Sequence, residues 1–190
     1  MFEIELKAHV DDREKVIENL NSFADYLQSV QKDDVYWAVH KDGRKIQTRI
    51  RREKDLDSGV SKIYMTYKRK ERRIAENGNA LEVNDERECE ISDSDALETF
   101  LRDLGFEVAL EKHKSVMGWR FGECHIELCS VPPLGDFLEI EVMSEKNDEK
   151  TAEEKKLKIM EIFNRCGIGE EKIENRYYSE MLAEIKSAVE

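Results

Sequence analysis

Proline and glycine are scarce in this chain of 190 residues, with two Pro and nine Gly. So small a supply excludes collagen-like or low-complexity sequence and argues against long disordered linkers. No apolar run approaches the roughly 20 residues that a membrane-spanning helix needs. The opening "MFEIELKAHV" has neither a basic n-region nor an apolar h-region, so no secretory signal is expected. The four cysteines, Cys89, Cys124, Cys129 and Cys166, form no C-x-x-C pair, which removes zinc-ribbon and dithiol redox motifs. A reduced, cytoplasmic setting is the expectation. Positive charge is in deficit: 31 Lys and Arg against 43 Asp and Glu give a net charge of −12. That counts against nonspecific binding to nucleic acid but leaves room for a local anion site.

What is present is charge and alternation. Charged residues make up 39% of the chain and hydrophobic residues another 39%, enough for one sizeable domain over residues 1–190. "EIELKAHV" alternates as a strand; Asp11 or Asp12 then caps a helix carrying Val16, Leu20, Phe23 and Leu27 at helical spacing. Strands are expected at 34–39 and 45–53 around the turn "KDGR", at 62–70, and at 83–91 after a loop on "ENGN". Ser92–Gly105 reads as a second helix, with Leu97, Phe100, Leu101 and Leu104 on one face. A hairpin follows over 106–131, then the turn "PPLGD" and the strand "FLEIEVMSE". Thr151 and Glu154 suggest a capping box for a third helix ended by Gly167, and a fourth helix is expected over about 170–188. Eight strands joined mostly by short loops, with four helices, predict an α+β fold with an antiparallel sheet, most simply an eight-stranded barrel.

The polar faces of these strands segregate by sign. Glu3/Glu5, Glu88/Glu90 and Glu139/Glu141 are acidic pairs, whereas Arg49/Arg51, Lys68/Lys70 and Lys112/Lys114 are basic. Any one such stretch, "EIELK" included, reads by itself as a solvated strand face. Same-sign neighbours repel, however, and a solvated face intersperses signs. Because the opposite faces are apolar and the helices need them, the charges are expected to line the interior of the barrel. A metal–triphosphate is one ligand that needs both signs at once: carboxylates hold a hard divalent cation, and Lys and Arg neutralise phosphate oxygens.

These motifs resemble the CYTH domain proteins, also called triphosphate tunnel metalloenzymes. The hallmark E-x-E-x-K is matched by Glu3, Glu5 and Lys7, the R-x-R strand by Arg49 and Arg51, and the phosphate lysine by Lys68. "ERECE" supplies Glu88 and Glu90, "KHK" supplies Lys112 and Lys114, and "LGDFLEIEV" matches L-G-x-F-x-E-x-E with Glu139 and Glu141. "NRYYSEML" resembles the family's C-terminal S-Y-x-x-L-L helix. The matches run in family order along nearly the whole chain. Two positions depart: Cys129 stands where the family usually has Asp, with Glu127 on the same face as a substitute, and Lys114 stands where Arg is common.

The resemblance implies a tunnel binding a nucleoside or organic triphosphate, or inorganic tripolyphosphate, with Mg²⁺ or Mn²⁺. Glu3, Glu5, Glu88, Glu90, Glu139 and Glu141 are the implied metal ligands; Lys7, Arg49, Arg51, Lys68, Lys112 and Lys114 are the implied phosphate ligands. Glu3, Glu5 and Lys7 are the implied catalytic group. The implied reaction is that of a class IV adenylyl cyclase, ATP to cyclic AMP and pyrophosphate. Its alternatives are a triphosphatase and a non-catalytic polyphosphate- or nucleotide-binding module. His9 and His113 read as surface or packing groups, His125 as a candidate on the charged face, and Trp37 and Trp119 as core. The acidic C-terminal helices read most simply as a solvated outer layer, with Tyr177, Tyr178 and Met181 as candidates to cover a tunnel mouth or a homodimer interface.

Overall fold

The computed structural model describes residues 2–74, 80–145 and 148–189. Side chains are described throughout these except at 2–3, 68–74, 80–86, 149–150 and 187–189. The eight strands are β1 (Phe2–Val10), β2 (Asp25–Lys41), β3 (Arg44–Asp55), β4 (Ser61–Ile74), β5 (Ala80–Ile91), β6 (Glu107–Phe121), β7 (Cys124–Val131) and β8 (Gly135–Ser144). Four helices accompany them: α1 (Arg13–Asn21), α2 (Asp95–Asp103), α3 (Glu149–Arg165) and α4 (Tyr178–Val189). The strands form one antiparallel sheet in the order β1-β8-β7-β6-β2-β3-β4-β5. The fold class is α+β, as the alternation and short loops predict. Among the described residues no helix is long and apolar enough to cross a membrane.

The chain divides into two compact units, residues 1–31 with 114–190, and residues 32–113. In the first, β1, β8 and β7 pair so that Leu6, Ile140 and Ile126 lie in one row, and Ala8, Leu138 and Leu128 in the next. This face is dry. It packs against Val16 and Leu20 of α1 and Ile159, Ile162 and Phe163 of α3, and burial of so many branched side chains is the main term holding the unit together. Asp12 caps α1 by accepting the backbone N–H of Lys15 at 3.0 Å. Asp148 caps α3 by accepting that of Thr151 at 2.9 Å. The helix therefore starts before the expected Thr151–Glu154 box, because a carboxylate three residues upstream reaches the same N–H.

Two predicted helices are shorter than their periodicity suggests. Ser22 ends α1, its hydroxyl donating to the Asn19 carbonyl at 2.6 Å. Leu27 therefore falls in β2, which starts well before the expected residue 34. The segment expected to be helical from 170 is a short 3₁₀ turn, Glu170–Lys172, followed by extended chain. Ile173 bridges Ala8, and the Glu174 N–H donates to the Lys7 carbonyl at 2.8 Å. The backbone of β1 takes these hydrogen bonds, so a helix there would leave them unmade.

In the second unit, Trp37, Ile50 and Leu101 form the buried core, joined by Val35, Ile63, Leu97 and Phe106. The "KDGR" turn carries Asp42 and Gly43 at φ 51° and 71°, the two positive values that a tight hairpin of type I′ requires.

Candidate functional site

The reverse of the packed face in the first unit carries the charges. Alternation alone puts them there, since Leu6, Ile126 and Ile140 point into the core and their neighbours point away. The antiparallel register then arranges them in rows: Lys7 beside Glu139 beside Glu127, and Glu5 beside Glu141 beside His125. At the centre Lys114 of β6 donates from Nζ to Glu127 Oε2 at 2.9 Å and to Glu139 Oε2. All three side chains are largely buried, with exposures of 8%, 16% and 12%.

The electrostatics follow from this packing. Burial works against the Lys114 charge, but Cys129, Glu139 and Glu127 outweigh it and hold its pKa well above the ordinary value. Burial likewise opposes ionisation of Glu139, yet Lys114 and the Tyr178 hydroxyl keep its carboxyl below the usual range. Burial lowers the Lys7 pKa, against the pull of Glu139 and Glu5. It pushes the Cys129 thiol up, with Lys114 opposing.

Helix α4 closes one end of this face. Tyr178 and Met181 pack on Val116, Cys129, Val131 and Phe137, and the Lys7 and Lys114 ammonium groups lie 5.0 and 5.9 Å from the centre of the Tyr178 ring, within cation–π range. Lys7 Nζ also donates to the Arg176 carbonyl at 2.5 Å. Tyr178 and Met181 thus lie beside charged residues of this unit, while Tyr177 is exposed. At the other end, Glu5, His125, Glu127, Glu139 and Glu141 line a small cavity. Beside it lies an open cleft of about 410 Å³ lined in part by Arg120, His125, Glu141 and Met143.

The donor set fits a divalent cation. Ligand atoms of Glu127, Cys129 and Glu139 all lie within 4.8 Å of one another, and the Lys114 ammonium held by both carboxylates shows that this spot accommodates positive charge. The side chain of Glu3 lies outside the described residues, although its backbone is paired with Met143 in the same sheet.

The second unit holds a separate constellation. Asp34, whose side chain is 0% exposed, accepts from Arg51 Nε at 2.6 Å and Nη2 at 3.1 Å. Lys112 Nζ lies 3.0 Å from Asp34 Oδ2, the oxygen that Arg51 Nη2 also contacts. Burial disfavours the Asp34 carboxylate, but Arg51, Lys112 and Arg49 hold its pKa well below the ordinary range. Arg49 donates to Thr66 Oγ1 at 3.0 Å and to Glu88 Oε2 at 3.4 Å, and Thr66 donates to the same Glu88 oxygen at 2.7 Å. Glu90 faces Lys62 at 3.4 Å.

Several expected site residues therefore meet: Lys114 and Glu139 at one centre, Glu5 and Glu141 around the adjoining cavity, and Arg51 and Lys112 on a shared carboxylate. Glu88 and Glu90 are placed against cations of their own unit. The side chains of Lys68 and Lys70 lie outside the described residues. The sequence reading did not single out Asp34. Its alternation with Tyr36, opposite Val35 and Trp37, is the signal that marks it as facing the Arg51 side. His9 contacts Glu174 at 3.2 Å and His113 contacts Asp33 at 2.7 Å, while Trp37 and Trp119 are core, all as expected.

The sheet and its charged rows define a class: an α+β domain with an antiparallel sheet carrying carboxylates and lysines on the face opposite its packed core. The CYTH domain family matches residues 1–178, and the chain belongs to that family. A curated protein from Methanocaldococcus jannaschii, provisionally named an adenylate cyclase, is 26% identical over 187 residues, covering 95% of this chain and 98% of its own. The solved PH1819 protein of Pyrococcus horikoshii superposes with a TM-score of 0.75 at 26% identity, covering 96% of this chain and 99% of its own. A Hippeastrum protein, described as a provisional adenylyl cyclase with a dominant triphosphatase activity, shares the fold with a TM-score of 0.53 at 15% identity, covering 87% of each chain.

Proposed function

We propose that this protein carries out divalent-metal-dependent chemistry on a triphosphate, converting ATP to cyclic AMP and pyrophosphate as a class IV-like adenylyl cyclase. The observation that carries the reading is the buried Lys114 shared by Glu127 and Glu139, a cation and carboxylates in contact on a sheet face whose reverse is fully packed. Glu3, Glu5, Glu139 and Glu141 hold the cation in this reading, with Glu88 and Glu90 contributing further carboxylates. Lys7, Arg49, Arg51, Lys68, Lys112 and Lys114 bind phosphate oxygens and stabilise charge that develops on them. Bound Mg²⁺ or Mn²⁺ supplies charge neutralisation and orientation of the phosphates. Asp34 acts on phosphate through Arg51 and Lys112, fixing where their donors point.

A triphosphatase is the second reading, favoured by the activity described for the Hippeastrum protein of the same fold. The two differ in the nucleophile and in the phosphorus attacked, a ribose 3′-hydroxyl at the α-phosphorus or water at the terminal one. Incubation with ATP, thiamine triphosphate and tripolyphosphate, with and without Mg²⁺ or Mn²⁺, decides between them. Cyclic AMP with pyrophosphate supports the cyclase; orthophosphate supports the triphosphatase. Metal-dependent binding with no product reduces the protein to a binding module, and no binding overturns the reading.

A further inference from the structure

We infer that Tyr178 is a positioning residue for anion recognition, its ring face and the Arg176 carbonyl together setting the Lys7 ammonium to meet a phosphate oxygen. The inference rests on the reading of Lys7 as a phosphate ligand and names the groups that place it. A lysine carries a point charge on a flexible four-carbon stem, so the charge sits where the contacts at its tip hold it. Three contacts from one short segment converge on Lys7. The Glu174 N–H donates to its backbone carbonyl at 2.8 Å, the Arg176 carbonyl accepts from its Nζ at 2.5 Å, and the Tyr178 ring centre lies 5.0 Å from the same nitrogen.

The segment is itself held. The Arg176 guanidinium donates to Glu174 Oε1 at 2.9 Å and to Glu184 Oε2 at 2.8 Å, tying the extended stretch before α4 to the helix. Fully buried Phe137 meets the Tyr178 ring edge-on, with centres 5.1 Å apart and planes at 79°, a favoured aromatic geometry that fixes the ring plane. Lys114 lies 5.9 Å from the same ring, but two carboxylates already place it, so the ring matters less there. A carbonyl and a ring carry no net charge. They hold Lys7 through a dipole and a quadrupole and leave its positive charge to attract an anion.

Calorimetric titration of the full chain with inorganic tripolyphosphate tests this, with and without Mg²⁺, variants being compared in the condition that wild type binds more tightly. Tyr178→Leu keeps an apolar side chain but removes the ring, and is expected to weaken binding on the order of tenfold. Tyr178→Phe returns the ring and is expected to recover most of that loss. In a Lys7→Ala background, Tyr178→Leu is expected to cost less than about twofold, because the ring acts through the lysine. No loss in Tyr178→Leu, a loss that Tyr178→Phe does not recover, or one as large without Lys7 overturns the inference and leaves the proposed function standing. Should Tyr178→Leu not fold by circular dichroism, wild type alone decides by NMR. The Lys7 ε-methylene protons, assigned by their loss in Lys7→Arg, are expected upfield of ordinary lysine positions under the ring current and to move when tripolyphosphate is added. Ordinary positions overturn the inference. Absence of tripolyphosphate binding by wild type in both conditions overturns the inference and the proposed function together.

Discussion

At the residue scale, Asp34 and Glu5 show how differently two carboxylates in this fold respond to removal. Asp34 is enclosed and compensates Arg51 and Lys112. Asp34→Asn leaves two cations short of a buried counter-charge and is expected to cost about 3–5 kcal/mol of stability, read by urea denaturation. Glu5 is exposed and lines the small cavity. Glu5→Ala is expected to abolish turnover while leaving the melting temperature close to wild type. A variant that unfolds but remains active where folded makes Glu5 structural instead. Acid lability follows from the same pairs. Glu139 and Asp34 both have folded pKa values below their unfolded ones. Their contribution is therefore complete above the ordinary carboxylate range, about pH 4, and is lost as pH falls through the depressed values. Denaturation midpoints measured from pH 6 downward are expected to fall less steeply in Asp34→Asn than in wild type, on the order of one titrating group's worth.

At the element scale, the charged strands were legible because alternation has a fixed period, and a residue on a paired strand has only two directions to point. The faces of β1, β7 and β8 follow from that rule alone. Helix ends were less legible. Phe23 and Leu27 fit a helical spacing and a strand spacing equally well, and α1 is ended by the Ser22–Asn19 contact together with the Phe23 and Ala24 N–H groups returning to the Leu20 carbonyl. Asp34 escaped notice for a related reason: its meaning depends on Arg51 and Lys112, partners distant in sequence that only pairing brings near. The end of α3 was read correctly from one residue. Gly167 has φ 78°, and the following Ile168 N–H returns to the Phe163 carbonyl at 2.9 Å, a glycine-dependent helix stop. Gly167→Ala meets no close neighbour but is strained by that φ, and is expected to lower stability by about 1 kcal/mol in thermal unfolding.

At the scale of the whole molecule, an overall charge of −12 coexists with enclosed cations, so net charge does not fix the sign of the local field around Lys112 and Lys114. The surplus acid is spread over exposed positions, while Lys112 and Lys114 are among the buried charged residues. Turnover is therefore expected to depend on ionic strength less than a surface-steered encounter would, since buried pairs are screened weakly; activity measured from low to moderate salt checks this.

The pairing of β1 with β8, and of Ala8 with Ile173, carries a consequence for biosynthesis. Strand β1 is separated from β8 by most of this chain, so it has no partner until that length has been made. Its apolar Ile4 and Leu6 must wait, unsheltered, while everything between is translated. Such long-range closure slows folding and leaves the nascent β1 segment in need of a chaperone's protection.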